Sequence, residues 1–493
     1  MNRLLISAAH KSSGKTTVTL GLCAALRARG TVVQPFKKGP DYIDPMWLTL
    51  AAGRSCHNLD FYLQGHDEIL RGFARHAHGA GISLIEGNKG LYDGLDLDGS
   101  NSNAALARLL HAPVILVIDA RGMTRGIAPL ILGYQAFDPA IRIAGVILNQ
   151  LGGSRHERKL RAVIEHYTDV PVLGAVHHDE RLAIVERHLG LMPSNEASRA
   201  NAKIDAIAGL IAGQVDLDRV LAIAAAAGEL AGTGAAKEDA LTPKDALTPF
   251  PLPKGEGAKE ALTPSPLPRG EGGLVKIGIA RDAAFAFYYP DDLEALRAHG
   301  AELVAFDTLR DAHLPPVDGL FIGGGFPEVH IEALAANAGL RGEIRTAIEA
   351  GMPVYAECGG LMYLSRSLRW GERHGEMVGA IPADTVMHDR PQGRGYVRLR
   401  ETGAGPWPGN APDEIRAHEF HYSSLENLDP GLSYAYEVLR GSGIDGRRDG
   451  IVYKNVLACY AHLRDLERHP WTARFVDFVR RCRSRGHPQR AAL

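Results

Sequence analysis

The strongest constraint on the fold lies at residues 3–28, where a strand, a loop and a helix follow one another without a gap. The apolar run Arg3–Ala8 leads into Ala9-His10-Lys11-Ser12-Ser13-Gly14-Lys15-Thr16-Thr17, and a helical pattern continues over Thr17–Ala28. The spacing A-x-x-x-x-G-K-T fits the phosphate-loop pattern, with Ala9 in place of the first glycine. Such a loop works only when a buried strand delivers it and a helix leaves it, because loop N–H groups and the helix N-terminus must converge on phosphate oxygens. Ser12, Ser13, Gly14 and Thr17 belong to that cradle; Lys15 is placed for the β/γ-phosphates and the Thr16 hydroxyl for Mg2+. ATP and Mg2+ are the expected ligands. Lys11 lies one residue later than the second lysine of partition ATPases and receives no role.

Short apolar runs alternate with helical patterns through both halves, which predicts parallel α/β architecture. The first series of strands is expected at 3–8, 32–36, 83–86, 114–119, 144–148 and 172–175, the second at 275–280, 302–305, 319–322 and 353–356. Ligands of open α/β sheets gather beyond the carboxyl ends of such strands. Several of these ends carry acids or amides. Phe36-Lys37-Lys38-Gly39-Pro40-Asp41-Tyr42-Ile43-Asp44-Pro45 brings two carboxylates close in a proline-bracketed loop, and Glu86 ends the next strand before Gly87-Asn88-Lys89-Gly90-Leu91-Tyr92-Asp93-Gly94. Mg2+ takes a few carboxylates together with phosphate oxygens and water, so Asp41, Asp44 and Glu86 are candidate metal ligands; each reads equally well as a surface-loop acid. Asp119 reads as a strand terminator. Asn149, at the end of 145–148, is placed to contact adenine.

In the second series, Val354-Tyr355-Ala356-Glu357-Cys358-Gly359-Gly360 reads as a strand running into a sharp turn that holds up a cysteine. The logic is that of the nucleophile elbow: glycines allow the strained turn, and the next helix's N-terminus is expected to lower the thiol pKa. Covalent attack on a carboxamide would give a thioester and ammonia. Gly323-Gly324-Gly325-Phe326-Pro327-Glu328 follows a strand, so Gly324 and Gly325, with Gly359, are candidate N–H donors to an oxyanion. His462 ends the apolar run Val456–Ala461. Alone it reads as structural; beside the elbow and the glycine loop it reads as the base. ATP handling and amide attack in one polypeptide imply a carboxylate activated by ATP and ammonia drawn from glutamine.

The chain has 493 residues, 45% hydrophobic, with a formal charge of −2. That suits two domains and gives no electrostatic case for nucleic acid or an anionic membrane. Its five cysteines, Cys23, Cys56, Cys358, Cys459 and Cys482, form no CxxC pair, which points to a reducing compartment. With the phosphate loop so near the start and no apolar stretch of ~20 residues, a cytoplasmic protein without signal peptide or membrane span is expected. Between the halves, Lys244–Gly257 is repeated almost residue for residue at Lys259–Gly272, after a truncated copy at Lys237–Pro243. Rich in proline and glycine, this stretch reads as a tether grown by duplication. The expected domains are 1–230 and 274–485, with a linker at 231–273 and a tail at 486–493.

Together SSGKTT, FKKGPDYIDP, IEGNKGLYDG, GGGFPE, AECGGLMYL and HEFHYS resemble the cobyrinate a,c-diamide synthase family, over the chain apart from linker and tail. The resemblance implies two parallel-sheet α/β domains: an N-terminal dethiobiotin-synthetase-like, P-loop NTPase-like ATPase, and a C-terminal class I, triad-type glutamine amidotransferase of flavodoxin-like form. It implies a carbon–nitrogen ligase with L-glutamine as donor and a tetrapyrrole polycarboxylate as acceptor. It places the catalytic cysteine on Cys358 and its histidine on His462, the nucleotide site on the phosphate loop with Lys37, and metal ligands on Thr16, Asp41, Asp44 and Glu86. Tyr42 and Asp93 fall on positions associated with substrate and catalysis. Two departures stand out. Where many class I members carry glutamate two residues after the histidine, this chain has Arg464, with Asp465 and Glu467 nearby, and the third triad member stays open. Asn88-Lys89 replaces a small or apolar pair of corrinoid members and resembles a branch that amidates sirohaem; Lys89 either meets a substrate carboxylate or faces solvent. A homodimer is one assembly open to such a chain. A partition-type ATPase switch would explain the phosphate loop but leave Cys358, GGGFPE and His462 without a use.

Overall fold

In a computed structural model the described residues are 1–182, 184, 186–187, 190–194, 200–230, 273–407 and 414–484. The repeated segment and the C-terminal tail lie outside them. The chain divides into two compact units, Met1–Lys254 and Gly255–Leu493.

The first unit runs β1 (Arg3–Ala8), α1 (Lys15–Ala28), β2 (Val33–Lys38), α2 (Ile43–Ala52), β3 (His57–Leu59), α3 (His66–Ala77), β4 (Ile82–Glu86), α4 (Asn103–Leu109), β5 (Val114–Asp119), α5 (Ile127–Phe137), β6 (Ile143–Leu151), α6 (Ser154–Tyr167) and β7 (Val172–His177). A small hairpin of β8 (Glu186–Arg187) and β9 (Gly190–Leu191) precedes α7 (Ala200–Gln214) and α8 (Leu217–Ala225). Seven strands pair in the order β3-β2-β4-β1-β5-β6-β7, all parallel. Successive strand residues face opposite ways. Leu4 and Ile6 therefore join Val18, Trp47, Ile207 and Val220 on one face, while Leu5 meets Phe73, Leu106, Ile131 and Leu160 on the other. A sheet covered on both faces explains why its strands are buried almost throughout. β1 lies where the strand order reverses, so its loop opens into the crevice where ligands of such sheets bind.

The second unit contains β10 (Val275–Ala280), β11 (Phe285–Phe287), α9 (Pro290–Ala298), β12 (Ala301–Phe306), β13 (Gly319–Ile322), β14 (Gly324–Gly325), α10 (Ile331–Ala336), α11 (Ala338–Glu349), β15 (Val354–Glu357) and α12 (Gly359–Leu364). It continues with β16 (Ser367–Trp370), β17 (Arg373–Glu376), β18 (Asp384–Met387), β19 (Gly393–Glu401), β20 (Ile415–His421), β21 (Ser423–Glu426), β22 (Ser433–Arg440), β23 (Arg448–Tyr453), β24 (Val456–Cys459) and α13 (Trp471–Ser484). Its nine-stranded sheet has the order β12-β10-β13-β15-β24-β23-β22-β19-β20. The expectation of a parallel sheet holds for β12 to β24; beyond β24 the pairings are antiparallel, so the sheet is mixed. Of these, β22, β23 and β24 follow one another through short connections, and hairpins of that kind pair antiparallel. Tyr355 and Phe321 pack with Trp471 and Phe475 on one face, Ala356 and Ile322 with Leu361 and Ile344 on the other.

Among the described residues no helix is long and apolar enough to cross a membrane.

Candidate active sites

The phosphate loop takes its shape from two backbone conformations. Ser12 has φ 64° and Gly14 φ 86°, left-handed values that glycine adopts without strain. A Cβ on Gly14 would lie 2.1 Å from Asn149 Nδ2, which itself donates to the Ser13 carbonyl at 2.9 Å. Asn149 thus braces the loop from the end of β6. Lys15, at the start of α1, is 8% exposed. Desolvation lowers its pKa, followed by repulsion from Lys37, while Glu86, Asp44 and Asp93 pull the other way. Lys11 is exposed, and Asp119 is engaged by Arg121 at 2.6 Å.

The acids expected from sequence converge beside the loop. Thr16 Oγ1 donates to Glu86 Oε1 at 2.7 Å and approaches Asp44 Oδ2 at 3.4 Å. Lys37 Nζ lies 3.0 Å from Glu86 Oε1, 3.8 Å from Asp41 Oδ2 and in direct hydrogen-bond contact with Asp44 Oδ2. Glu86 is fully buried; desolvation pushes its carboxyl up and Lys37 pulls it back. Asp41 is raised to about 7, by desolvation and then by Asp44. Its Oδ1 also accepts the backbone N–H of Ile43 and Asp44, fixing the start of α2. Three carboxylates and a threonine hydroxyl around one lysine, with Glu86 Oε2 buried and making no hydrogen bond, form a donor set that fits Mg2+.

The turn after Glu86 is stapled by Asn103, a residue that sequence reasoning passed over. Its amide accepts from Asn88 N at 3.1 Å and donates to Ser7 Oγ and the carbonyls of Asn88 and Gly90. Asp93 accepts from Gly90 N at 2.8 Å. Tyr42 is buried at the α2 N-terminus. Lys89 is exposed, with φ 43°. Behind it, buried Lys38 reaches Asn101 Oδ1 at 3.2 Å and Asn88 Oδ1 at 3.4 Å. Desolvation lowers Lys38 to about 8; Asp60 opposes the shift, and Lys89 and Lys37 add to it.

In the second unit Cys358 sits between β15 and α12 at φ 46°, ψ −99°. A cysteine outside the usual regions stores strain of about 1–3 kcal/mol, a feature that clusters at functional turns. Its N–H donates to the Cys459 carbonyl at 2.7 Å, which locks the elbow to β24. The flanking glycines are obligatory: a Cβ on Gly360 would meet the Ile322 carbonyl at 2.1 Å, and one on Gly359 the Gly325 nitrogen at 2.9 Å. A Cβ on Gly324 would strike His462 Cε1 at 2.6 Å. The glycine loop therefore packs against both the elbow and the histidine, while Gly323 N–H is taken by the Tyr288 hydroxyl at 3.0 Å. His462, 3% exposed, extends β24 and bridges to His418. The expectation of a lowered thiol pKa is reversed. Burial pushes the Cys358 thiol up and Glu328 adds to it, while the Gly359 N–H pulls it down by less. α12 has only six residues, too short a helix to outweigh desolvation.

Residues 5–191 match the family model described as the CobQ/CobB/MinD/ParA nucleotide binding domain, and residues 276–469 that of the CobB/CobQ-like glutamine amidotransferase domain. The chain is a glutamine-dependent ligase that couples ATP to amidation. It is 48% identical to the cobyrinate a,c-diamide synthase of Magnetococcus marinus, over 96% of this chain and 97% of that protein. The same enzyme of Methanosarcina acetivorans is 40% identical, over 99% and 97%, and that of Archaeoglobus fulgidus 41%, over 96% and 96%. The chain belongs to the cobyrinate a,c-diamide synthase family.

Proposed function

We propose that this ligase amidates peripheral carboxylates of a tetrapyrrole, the a and c acetate arms of cobyrinate, in the cytoplasm. The observation that carries the reading is the strained Cys358 elbow packed with the glycine loop and the buried His462, in a chain that also gathers Thr16, Lys37, Asp44 and Glu86 around its phosphate loop. A partition-type switch accounts for such a cluster, but not for a strained cysteine packed beside a glycine loop and a buried histidine.

Ser12, Ser13, Gly14, Lys15 and Thr17 hold the triphosphate, with Asn149 bracing the loop and available to the adenine side. Thr16, Asp41, Asp44 and Glu86 would hold Mg2+, which when bound neutralises phosphate charge. Lys37 keeps the acids together and, with Lys15, offsets charge as a substrate carboxylate oxygen attacks the γ-phosphorus. The bond from that phosphorus to the ADP oxygen breaks, leaving an acyl phosphate. Asp93, Tyr42, Asn88 and Lys89 face this acceptor. Cys358 attacks the glutamine carboxamide, His462 moves the proton, and the N–H groups of Gly324, Gly325 and Gly359 receive the oxyanion. The ammonia displaces phosphate from the activated carboxylate. Residues 1–230 and 274–485 form the two functional domains, joined by the segment between.

Incubating the purified protein with MgATP, glutamine and cobyrinate should add two amides, counted by mass spectrometry. Amidation of sirohaem in preference to cobyrinate would move the reading to the other tetrapyrrole. Amidation of neither would overturn it.

A further inference from the structure

Arg464 occupies the place where a triad glutamate is expected, and its guanidinium is 2.9 Å from Asp291 Oδ2. Of the neighbouring acids, Asp465 accepts from the N–H and hydroxyl of Thr472 at 3.0 and 2.7 Å, and Glu467 is exposed. The carboxylate that reaches the histidine comes from another strand. Glu357, the last residue of β15, places Oε2 at 3.5 Å from His462 Nδ1, with the two side chains 3% and 4% exposed. Its other oxygen is held by two donors, the Tyr355 hydroxyl at 2.5 Å and the Leu463 N–H at 2.9 Å. The second of these belongs to the residue after His462, so carboxylate and imidazole are tied to one backbone segment. His418, stacked on His462 at 4.9 Å, brings no negative charge; burial holds its imidazole well below the usual range.

We propose that Glu357 is the positioning residue of the glutaminase site, replacing the carboxylate that position 464 lacks. This rests on the reading of Cys358 as nucleophile and His462 as base. Glu357 keeps the proton on Nδ1, so Nε2 accepts the thiol proton as sulfur bonds to the carboxamide carbon. Collapse of the tetrahedral intermediate breaks the C–N bond, Nε2 returns the proton to the leaving nitrogen, and ammonia and a γ-glutamyl thioester result. Water then attacks the thioester, its proton passing through Nε2 to the sulfur, and glutamate leaves. The carboxylate stabilises the transient imidazolium and takes no proton itself. An apo distance of 3.5 Å is in keeping with catalytic hydrogen bonds that tighten once substrate is bound.

Glu357→Gln tests the tautomer directly. It keeps an oxygen for Tyr355 and Leu463 but turns an N–H donor towards Nδ1, selecting the wrong tautomer. Glutaminase kcat should fall by about 10²- to 10⁴-fold, while the glutamine KM moves by less than about threefold and ammonia-dependent synthesis continues. Glu357→Asp should recover part of the lost kcat. A Gln variant with near-normal kcat would overturn the proposal; so would parallel losses in glutaminase and ammonia-dependent synthesis, which mark a merely structural role. Cys358→Ala, run alongside, separates the two levels: persistent glutamine-driven synthesis there removes the nucleophile assignment itself.

Discussion

Asn149 Nδ2 and the Ser13 carbonyl, 136 positions apart in sequence, meet in a buried 2.9 Å hydrogen bond. The end of β6 thereby fixes the curvature of the phosphate loop, and the absence of a side chain at Gly14 makes room for the contact.

Asn149→Ala leaves that carbonyl without its donor, at a cost of about 1–3 kcal/mol. If half of this falls on the bound conformation, MgATP should bind about two- to tenfold more weakly. Calorimetric titration with MgATP reads the change directly, and an unaltered dissociation constant would show that the loop holds its shape without the brace.

Glu86→Gln removes the one fully buried charge of the acid cluster while keeping an oxygen for Thr16. Amidation from either nitrogen source should drop by about 10²-fold or more, with basal glutaminase at Cys358 preserved. Chelation of divalent metal should mimic the variant in the wild type and be reversed by added Mg2+. Wild-type amidation by Glu86→Gln at low Mg2+ would place the metal elsewhere.

Much of this site was legible because its residues sit at strand ends within short motifs. Thr16, Asp41, Asp44 and Glu86 come from three segments, and parallel strands bring such ends to one edge of a sheet. Glu357 was visible in the same motif as Cys358 but received no role, since nothing local says that it meets a histidine on a neighbouring strand. Asn103 was hidden for the same reason: its partners are backbone groups of a turn that forms only after folding. The antiparallel strands β19 to β23 were missed because polar and charged residues interrupt them, so they lack the apolar runs that mark most of the parallel ones. The thiol was misjudged by weighing a helix terminus without the desolvation that accompanies an elbow.

That desolvation has a measurable consequence. Burial raises the Cys358 thiol above its ordinary value, so the thiolate becomes populated only as pH rises well beyond neutrality. Alkylation of Cys358 by iodoacetamide, without glutamine, should therefore climb through pH 9 with no plateau near pH 7. A neutral-pH plateau would reveal a preformed thiolate and remove the need for His462 to act as base. Cys358→Ala should abolish glutamine-driven synthesis yet leave synthesis from ammonium salts.

The proposed role of the Asn88-Lys89 pair is in the choice of macrocycle. Asn88 is held by Asn103 on its backbone and faces Lys38 through Oδ1, while Lys89 projects from a left-handed turn two residues beyond Gly87 into an exposed position. The Lys89 ammonium stands close enough to Lys38 to disfavour protonation of the Lys38 side chain. On that proposal, a second carboxylate on the acceptor would relieve the repulsion. The contact is worth on the order of 1 kcal/mol or less where solvent reaches it and more where the bound ring excludes water. Changing the pair to Val-Met removes one cation and the Oδ1 acceptor, with little effect expected on Cys358 chemistry. The ratio of catalytic efficiencies between cobyrinate and sirohaem should then shift towards the corrinoid by about fivefold, the equivalent of roughly 1 kcal/mol. A constant ratio, with both efficiencies lowered together, would mean that the pair shapes the turn and takes no part in recognising the ring.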